Sequence, residues 1–268
     1  MLFTLLVPLA QRLAAQIPPD LERERAEFAE WLRSAPVSPF AIVALQPIGP
    51  GISIGYEPSD IPLPIPIRGF AREERGLVAV EVDGRRLALP RERIVDFEGF
   101  RLVASGPPGR AAIAVYGGVR GFEPPSYYPY NDSLAMVVAL EPPERRGVFL
   151  TLGPEGAETQ ATEAGFVRVR TGAIDSRLRV YRLGGPDDEE AELLIFFRDG
   201  SSGHGSYPAG RFVVLSPGGT GQYRLDLNRA RNPFCAYNSV YPCPAPWPGN
   251  SIESRIKAGE TYRPRGAR

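Results

Sequence analysis

Apolar positions along the chain follow two periods. Near the start, Leu21, Phe28, Trp31 and Leu32 recur at helical spacing, with Glu22, Arg23, Glu24 and Glu30 on the other faces. This predicts an amphipathic helix. Pro18-Pro19-Asp20 reads as its entry, two prolines tolerated only in a first turn and an Asp suited to the N-cap. Pro36 and Pro39 end it. From Phe40 the period shortens to two. Residues 41–45, 52–55, 77–82, 86–89, 100–104 and 112–116 read as short strands. Asp83-Gly84 between two of them is a strong hairpin signal, because a type I′ turn needs positive φ at both central positions. Residues 60–66 alternate Pro with Ile or Leu, which fits an edge strand or an extended loop but bars a central strand.

A second series follows the Pro- and Tyr-rich passage 122–130. Residues 134–140, 148–152, 166–170, 178–183, 193–197, 212–215 and 223–227 are its predicted strands, with a tight turn expected at Gly218-Gly219. After Asn228 regular patterning fades, and residues 232–248 read as a Pro-rich coil packed over the sheet. The expected architecture is mainly β. Two packed antiparallel units follow a helix at 17–36: a sandwich-like one at 37–121 and a larger one at 122–268.

Composition narrows the possible functions. The 31 basic and 31 acidic residues cancel, which argues against a nucleic-acid face or a polybasic membrane anchor. With 29 glycines and 29 prolines beside 43% hydrophobic residues, the chain is rich in turns yet able to fold. A single histidine and two cysteines fall short of the usual zinc set, so no metal or cofactor is expected. Residues 2–10 form an apolar run too short to span a bilayer, followed by Ala14-Ala15. Residues 1–16 therefore read as a possible signal peptide and imply an extracytoplasmic protein; a frayed helix start is the competing reading.

Three C-terminal segments stand out together: FFRDGSSGHGSYPAGRFV at 196–213, LDLNRARNPFCAYNSVYPCPAPWPGNSI at 225–252, and KAGE at 257–260. They resemble the bacterial and archaeal family called domain of unknown function 1684. The matching positions include Phe197, Asp199, Gly203, Tyr207, Gly210 and Arg211. The match continues through Asp226, Asn228, Asn232, Cys235, Cys243 and Asn250 to Glu260. Gly205 and Gly249 stand where the family has Glu, and Arg231 where it has Tyr. The resemblance supplies positions and implies no chemistry. Upstream, GISIGYEPSDIPLP at 51–64 looks like the start of a forkhead-associated-like sandwich, with Arg68 and Arg72 as its available arginines.

Within the signature, Asp199 and Arg211 flank a Gly-rich turn that also holds Ser201, Ser206 and Tyr207. Such a loop exposes backbone N–H groups, and Arg offers a forked donor for an anion. The same residues also suit a hairpin in which Asp caps the turn and Arg pairs with it. His204 lies too close to Ser201, Ser206 and Asp199 in sequence for a catalytic triad to align readily. Asn228, Asn232, Asn250 and Glu260 read as ligand contacts or as supports for irregular backbone. Cys235 and Cys243 read as a disulfide or as two structural thiols. The leading expectation is a non-catalytic module binding a small polar or anionic ligand where the 199–211 loop meets the 232–250 coil. A hydrolase using Asp199 and Glu260, and a structural or interaction domain of the cell envelope, are the alternatives.

Overall fold

The computed structural model describes residues 16–185, 188 and 191–264. All but the last residue of the signal-peptide expectation at 1–16 lies outside this description, and of the acidic run 187–190 only Asp188 is inside it. The helix, α1, runs Pro19–Ser34 and buries Leu21 and Leu32. Its N-cap is Pro18, earlier than expected. Asp20 therefore lies in the first turn, where it pairs with Arg229.

The N-terminal strands are β1 (Ile42–Pro47), β2 (Ile52–Gly55), β3 (Ile61–Pro62), β4 (Arg68–Glu74), β5 (Leu77–Val82), β6 (Arg85–Leu89), β7 (Val95–Phe97), β8 (Phe100–Ser105) and β9 (Ala112–Tyr116). They form two sheets, ordered β3-β2-β4-β5-β6 and β1-β9-β8-β7. One apolar cluster containing Ile54, Val80, Leu102 and Ile113 draws on both sheets. Asp83 and Gly84 both have positive φ and close the β5–β6 hairpin as expected. The Pro-rich 60–66 stretch contributes only β3, at the sheet edge, where a missing N–H does no harm. The β4 strand escapes the pattern because its inward positions include Gly69 and Ala71, while Phe70 points outward and is 40% exposed.

The second series contains β10 (Ala135–Ala139), β11 (Val148–Leu152), β12 (Glu158–Thr171), β13 (Ile174–Leu183), β14 (Leu193–Asp199), β15 (Arg211–Val214), β16 (Ser216–Gly219), β17 (Gln222–Asp226) and β18 (Ser251–Ile252). One sheet runs β11-β12-β13-β14-β15, with β18 added parallel to β14, and a smaller one runs β10-β17-β16. Their shared cluster includes Val167, Leu178, Ile195, Phe197 and Leu225. Gly218-Gly219 is not the tight turn. Both residues belong to β16, and the reversal falls at Thr220-Gly221, where Gly221 has positive φ. The long β12 carries a bulge between Glu163 and Gly165. There Gly165 has φ +145°, and a Cβ would lie 2.0 Å from the Glu141 carbonyl, so only glycine fits.

The helix packs on the second series rather than standing apart. Glu24 pairs with Arg229 and Arg231, Arg25 donates to the Asn228 carbonyl, and Trp31 meets Phe234. A further cluster containing Ala41, Ala114 and Tyr116 packs with Tyr241, so the C-terminal coil bridges both series.

Candidate functional site

Asp199, Ser201, Ser206, Arg211, Asn232 and Glu260 are linked in one hydrogen-bonded network, whereas Asn228 and Asn250 bond elsewhere. Arg211 is fully buried. Its guanidinium donates to Asp199 Oδ2 at 2.8 Å, to the Ile256 carbonyl at 2.9 Å, and to the carbonyls of Ala258 and Glu260. Asp199 Oδ1 accepts from the Ser201 N–H at 2.7 Å and from the Ile256 N–H at 3.1 Å. Ser201 Oγ also bonds Asp199 and lies 2.7 Å from Ser206 Oγ. The 199–211 loop thus clamps the chain's final described segment onto β14. His204 sits exposed at its tip, away from the Asp199–Ser201 contact.

The asparagines perform the same task elsewhere. Asn250 donates to the carbonyls of Arg179 and Phe196 and accepts from the Arg179 N–H, pinning coil to β13 and β14. Asn228 exchanges two hydrogen bonds with the Asn131 backbone. Asn232 donates its backbone N–H to Glu260 Oε2 at 2.9 Å and its side-chain amide to the Thr261 carbonyl. Irregular backbone has no ladder partner, and these side chains supply one.

Glu260 is strongly perturbed. Burial pushes its carboxyl up to about 7, against the opposing pull of the Asn232 N–H and the Tyr237 hydroxyl. Tyr237 donates to the carboxylate at 2.7 Å, and burial beside that carboxyl raises the phenol well above its usual range. Tyr127 Oη and Asn232 Oδ1 are buried without a hydrogen-bond partner among the described residues.

Cys235 and Cys243 form a disulfide with Cα atoms 5.5 Å apart, and Tyr207 Oη lies 3.2 Å from Cys243 Sγ. The thiol alternative is thereby set aside. The short loop it closes implies a stabilisation of about 2–3 kcal/mol. Replacing both cysteines by serine should lower the midpoint of chemical unfolding accordingly, whereas an unchanged midpoint would make the bond energetically idle.

Residues 120–261, more than half of the chain, match the family described as "Protein of unknown function (DUF1684)". The chain belongs to that family. Every signature residue in the network above falls inside the DUF1684 region. A solution NMR structure of the uncharacterized protein from gene locus rrnAC0354 of Haloarcula marismortui is similar at 26% identity and a TM-score of 0.45. The match covers 52% of this chain and 77% of that one. No curated protein matches the chain.

An open cleft of about 560 Å³ lies elsewhere, at the DUF1684 region's border with the N-terminal sheets. Arg91, Glu92 and Pro107–Pro108 line it from the N-terminal sheets, and Pro154, Glu155, Glu158, Thr159, Leu183, Asp188, Glu192 and Leu194 are among its lining from the DUF1684 region. Arg110 and Glu158 join the two sides by a bidentate ion pair at 2.5 and 2.6 Å. A second cavity of about 450 Å³, lined by Leu45, Pro47, Leu152 and Pro242, borders the same pair. Burial pushes the Glu155 carboxyl up to about 7, with the charge of Glu92 adding to the effect. Burial likewise raises Glu92. Sequence reasoning passed over both acids. Gly-Pro-Glu-Gly at 153–156 reads as an ordinary turn, and Glu92 betrays itself only by φ +58°, which a sequence does not display. Among the described residues no helix is long and apolar enough to cross a membrane, and no three His, Cys, Asp or Glu side chains are grouped to hold a metal.

Proposed function

We propose that this DUF1684 protein is a non-catalytic binding module for a small polar ligand, and that the ligand enters the cleft between residues 37–121 and 122–268. One contrast carries the reading. Both terminal nitrogens of the Arg211 guanidinium, the leading anion-reading candidate, are occupied by Asp199 and three carbonyls and only its buried Nε has no partner, while the 560 Å³ cleft lies open. Its volume is typical of small-molecule sites, which span about 300–1,000 Å³ and favour junctions between structural units. The hydrolase alternative asks Asp199 and Glu260 to reach substrate, yet they are only 7% and 2% exposed. Burial on that scale favours the binding reading.

The sandwich at 37–121 is read as forkhead-associated-like in shape without phosphopeptide binding. Arg68 is taken up by Ser59 and stacks on Tyr56, and Arg72 pairs with Glu74 and Glu81. An extracytoplasmic location fits the disulfide, since such bonds persist in oxidising compartments.

A thermal-shift screen of small polar molecules tests the proposal. A binder present at a hundredfold excess over Kd should stabilise the fold by about 2.7 kcal/mol. Thr159→Trp, which fills the cleft, should abolish that shift. A stabilisation that survives in Thr159→Trp would move the site elsewhere.

A further inference from the structure

We propose that the Cys235–Cys243 disulfide is redox-active, exchanging in the folded protein with an external dithiol that attacks Cys243. The two sulfurs stand in different surroundings. Cys243 is exposed, between Pro242 and Pro244, which stiffen the backbone that presents it. Cys235 is half-buried and packs against the apolar cluster of Ala41, Ile42, Ala114, Tyr116 and Tyr241. An incoming thiolate therefore meets Cys243 first. Exchange then leaves negative charge on Cys235, in surroundings too apolar to solvate it well.

Tyr207 answers that need. Its hydroxyl lies 3.4 Å from Cys235 Sγ and 3.2 Å from Cys243 Sγ, a donor within reach of both sulfurs. Donation to a departing thiolate is a charge-assisted hydrogen bond, stronger than one to a neutral sulfur, so it favours the exchange step over the resting disulfide. Tyr207 is itself buried, and its ring meets Tyr262 edge-on with centroids 4.7 Å apart. Burial, with Tyr262 adding to the effect, raises the phenol above its usual range, and it keeps the proton it donates. A disulfide serving only as a staple needs no such donor.

A dithiol supplies the electrons. One of its thiolates forms a new S–S bond to Cys243, the Cys235–Cys243 bond breaks, and Cys235 departs with the electron pair. The second thiolate then attacks the dithiol's own sulfur in the mixed disulfide, closing the dithiol's disulfide and releasing Cys243 as a thiolate. Two electrons pass to the protein, and the two protons shed by the dithiol return to the two cysteines through solvent. The released thiols stay together because their loop has other ties. Tyr241 donates its N–H to the Asn238 carbonyl, Val240 its N–H to Asn238 Oδ1, and Tyr237 its hydroxyl to Glu260. An external disulfide can then reverse both steps on a pair already in place.

Reduced glutathione added to the folded chain tests the proposal, with free thiols blocked by N-ethylmaleimide and the products mapped by mass spectrometry. The expected product carries glutathione on Cys243 and a blocked thiol on Cys235. It should form in proportion to glutathione and at a rate indifferent to urea below the unfolding transition. Dithiothreitol should convert the pair fully to thiols, and oxidised glutathione should restore the bond. Tyr207→Phe keeps the ring against Tyr262 and removes only the hydroxyl. It should slow the exchange about tenfold, the scale of one hydrogen bond to a charged group, with a urea transition showing that the variant is folded. An adduct on Cys235, or reduction that tracks global unfolding, overturns the proposal on the unaltered chain. An equal rate in folded Tyr207→Phe overturns the role given to the phenol.

Discussion

Arg211→Met should lower the folding stability of the chain by about 3–5 kcal/mol, read as a fall in the urea midpoint. Methionine fills much of the space but leaves Asp199 ionised and buried without its counter-charge. It also removes the guanidinium donors from the buried carbonyls of Ile256, Ala258 and Glu260. Arg211→Lys should recover little of this, because one ammonium cannot reach a carboxylate and three carbonyls together. Asp199→Leu combined with Arg211→Met should cost less than the two single changes added, since the pair is then replaced by apolar groups and no charge is stranded. A loss below about 1 kcal/mol for Arg211→Met would show that the guanidinium is dispensable to the fold. A ligand-reading role for Arg211 would then return as the better account.

The contrast between Arg211 and the cleft marks where sequence reasoning runs out. Asp199, Ser201, Ser206, Arg211, Asn232 and Glu260 were legible as a group because their motifs are long and irregular. Their packing against one another was not, since a buried ion pair and an anion site draw on the same residue types. What separates them is whether other groups consume the donors, and the carbonyls that consume Arg211 lie 45 to 49 residues later. The strands with a clear apolar pattern were legible for the converse reason, alternating at Ile52–Gly55 and continuous at Ala112–Tyr116. Residues 158–165 of β12 were not, because Glu163 faces inward. There it accepts hydrogen bonds from the backbone N–H groups of Glu144 and Arg145 and from the guanidinium of Arg179. Glu73 on β4 is held in the same way by Arg91 and the Gly109 N–H. Inward carboxylates with distant partners look like surface residues in any local window.

Glu260 turns such a buried carboxyl into a measurable pH response. In the unfolded chain it titrates at the ordinary 4.5, whereas in the fold burial moves it to about 7. Between these values the folded chain holds a proton that the unfolded chain has released. Protonation therefore favours folding there, and the contribution of Glu260 is fully present below about 4.5. It declines as pH rises towards 7 and stays lost above it. The difference amounts to roughly 3 kcal/mol, since each pH unit separating the folded and unfolded titrations is worth about 1.4 kcal/mol. Glu260→Gln keeps an acceptor for the Tyr237 hydroxyl and carries no charge, so it should not show this decline. Unfolding should be followed from about pH 4 to about pH 8 in a Glu155→Gln background, because Glu155 titrates over the same range. The stability of Glu260→Gln relative to its parent should then rise by roughly 3 kcal/mol across the range. A pH-independent difference would mean that the folded carboxyl ionises near its ordinary value, with the Asn232 N–H and Tyr237 hydroxyl fully offsetting its burial. Tyr237→Phe separates these cases by removing one of those donors. The window over which stability declines should then move to higher pH, because the ionised carboxylate has lost a hydrogen bond that the protonated form needs less.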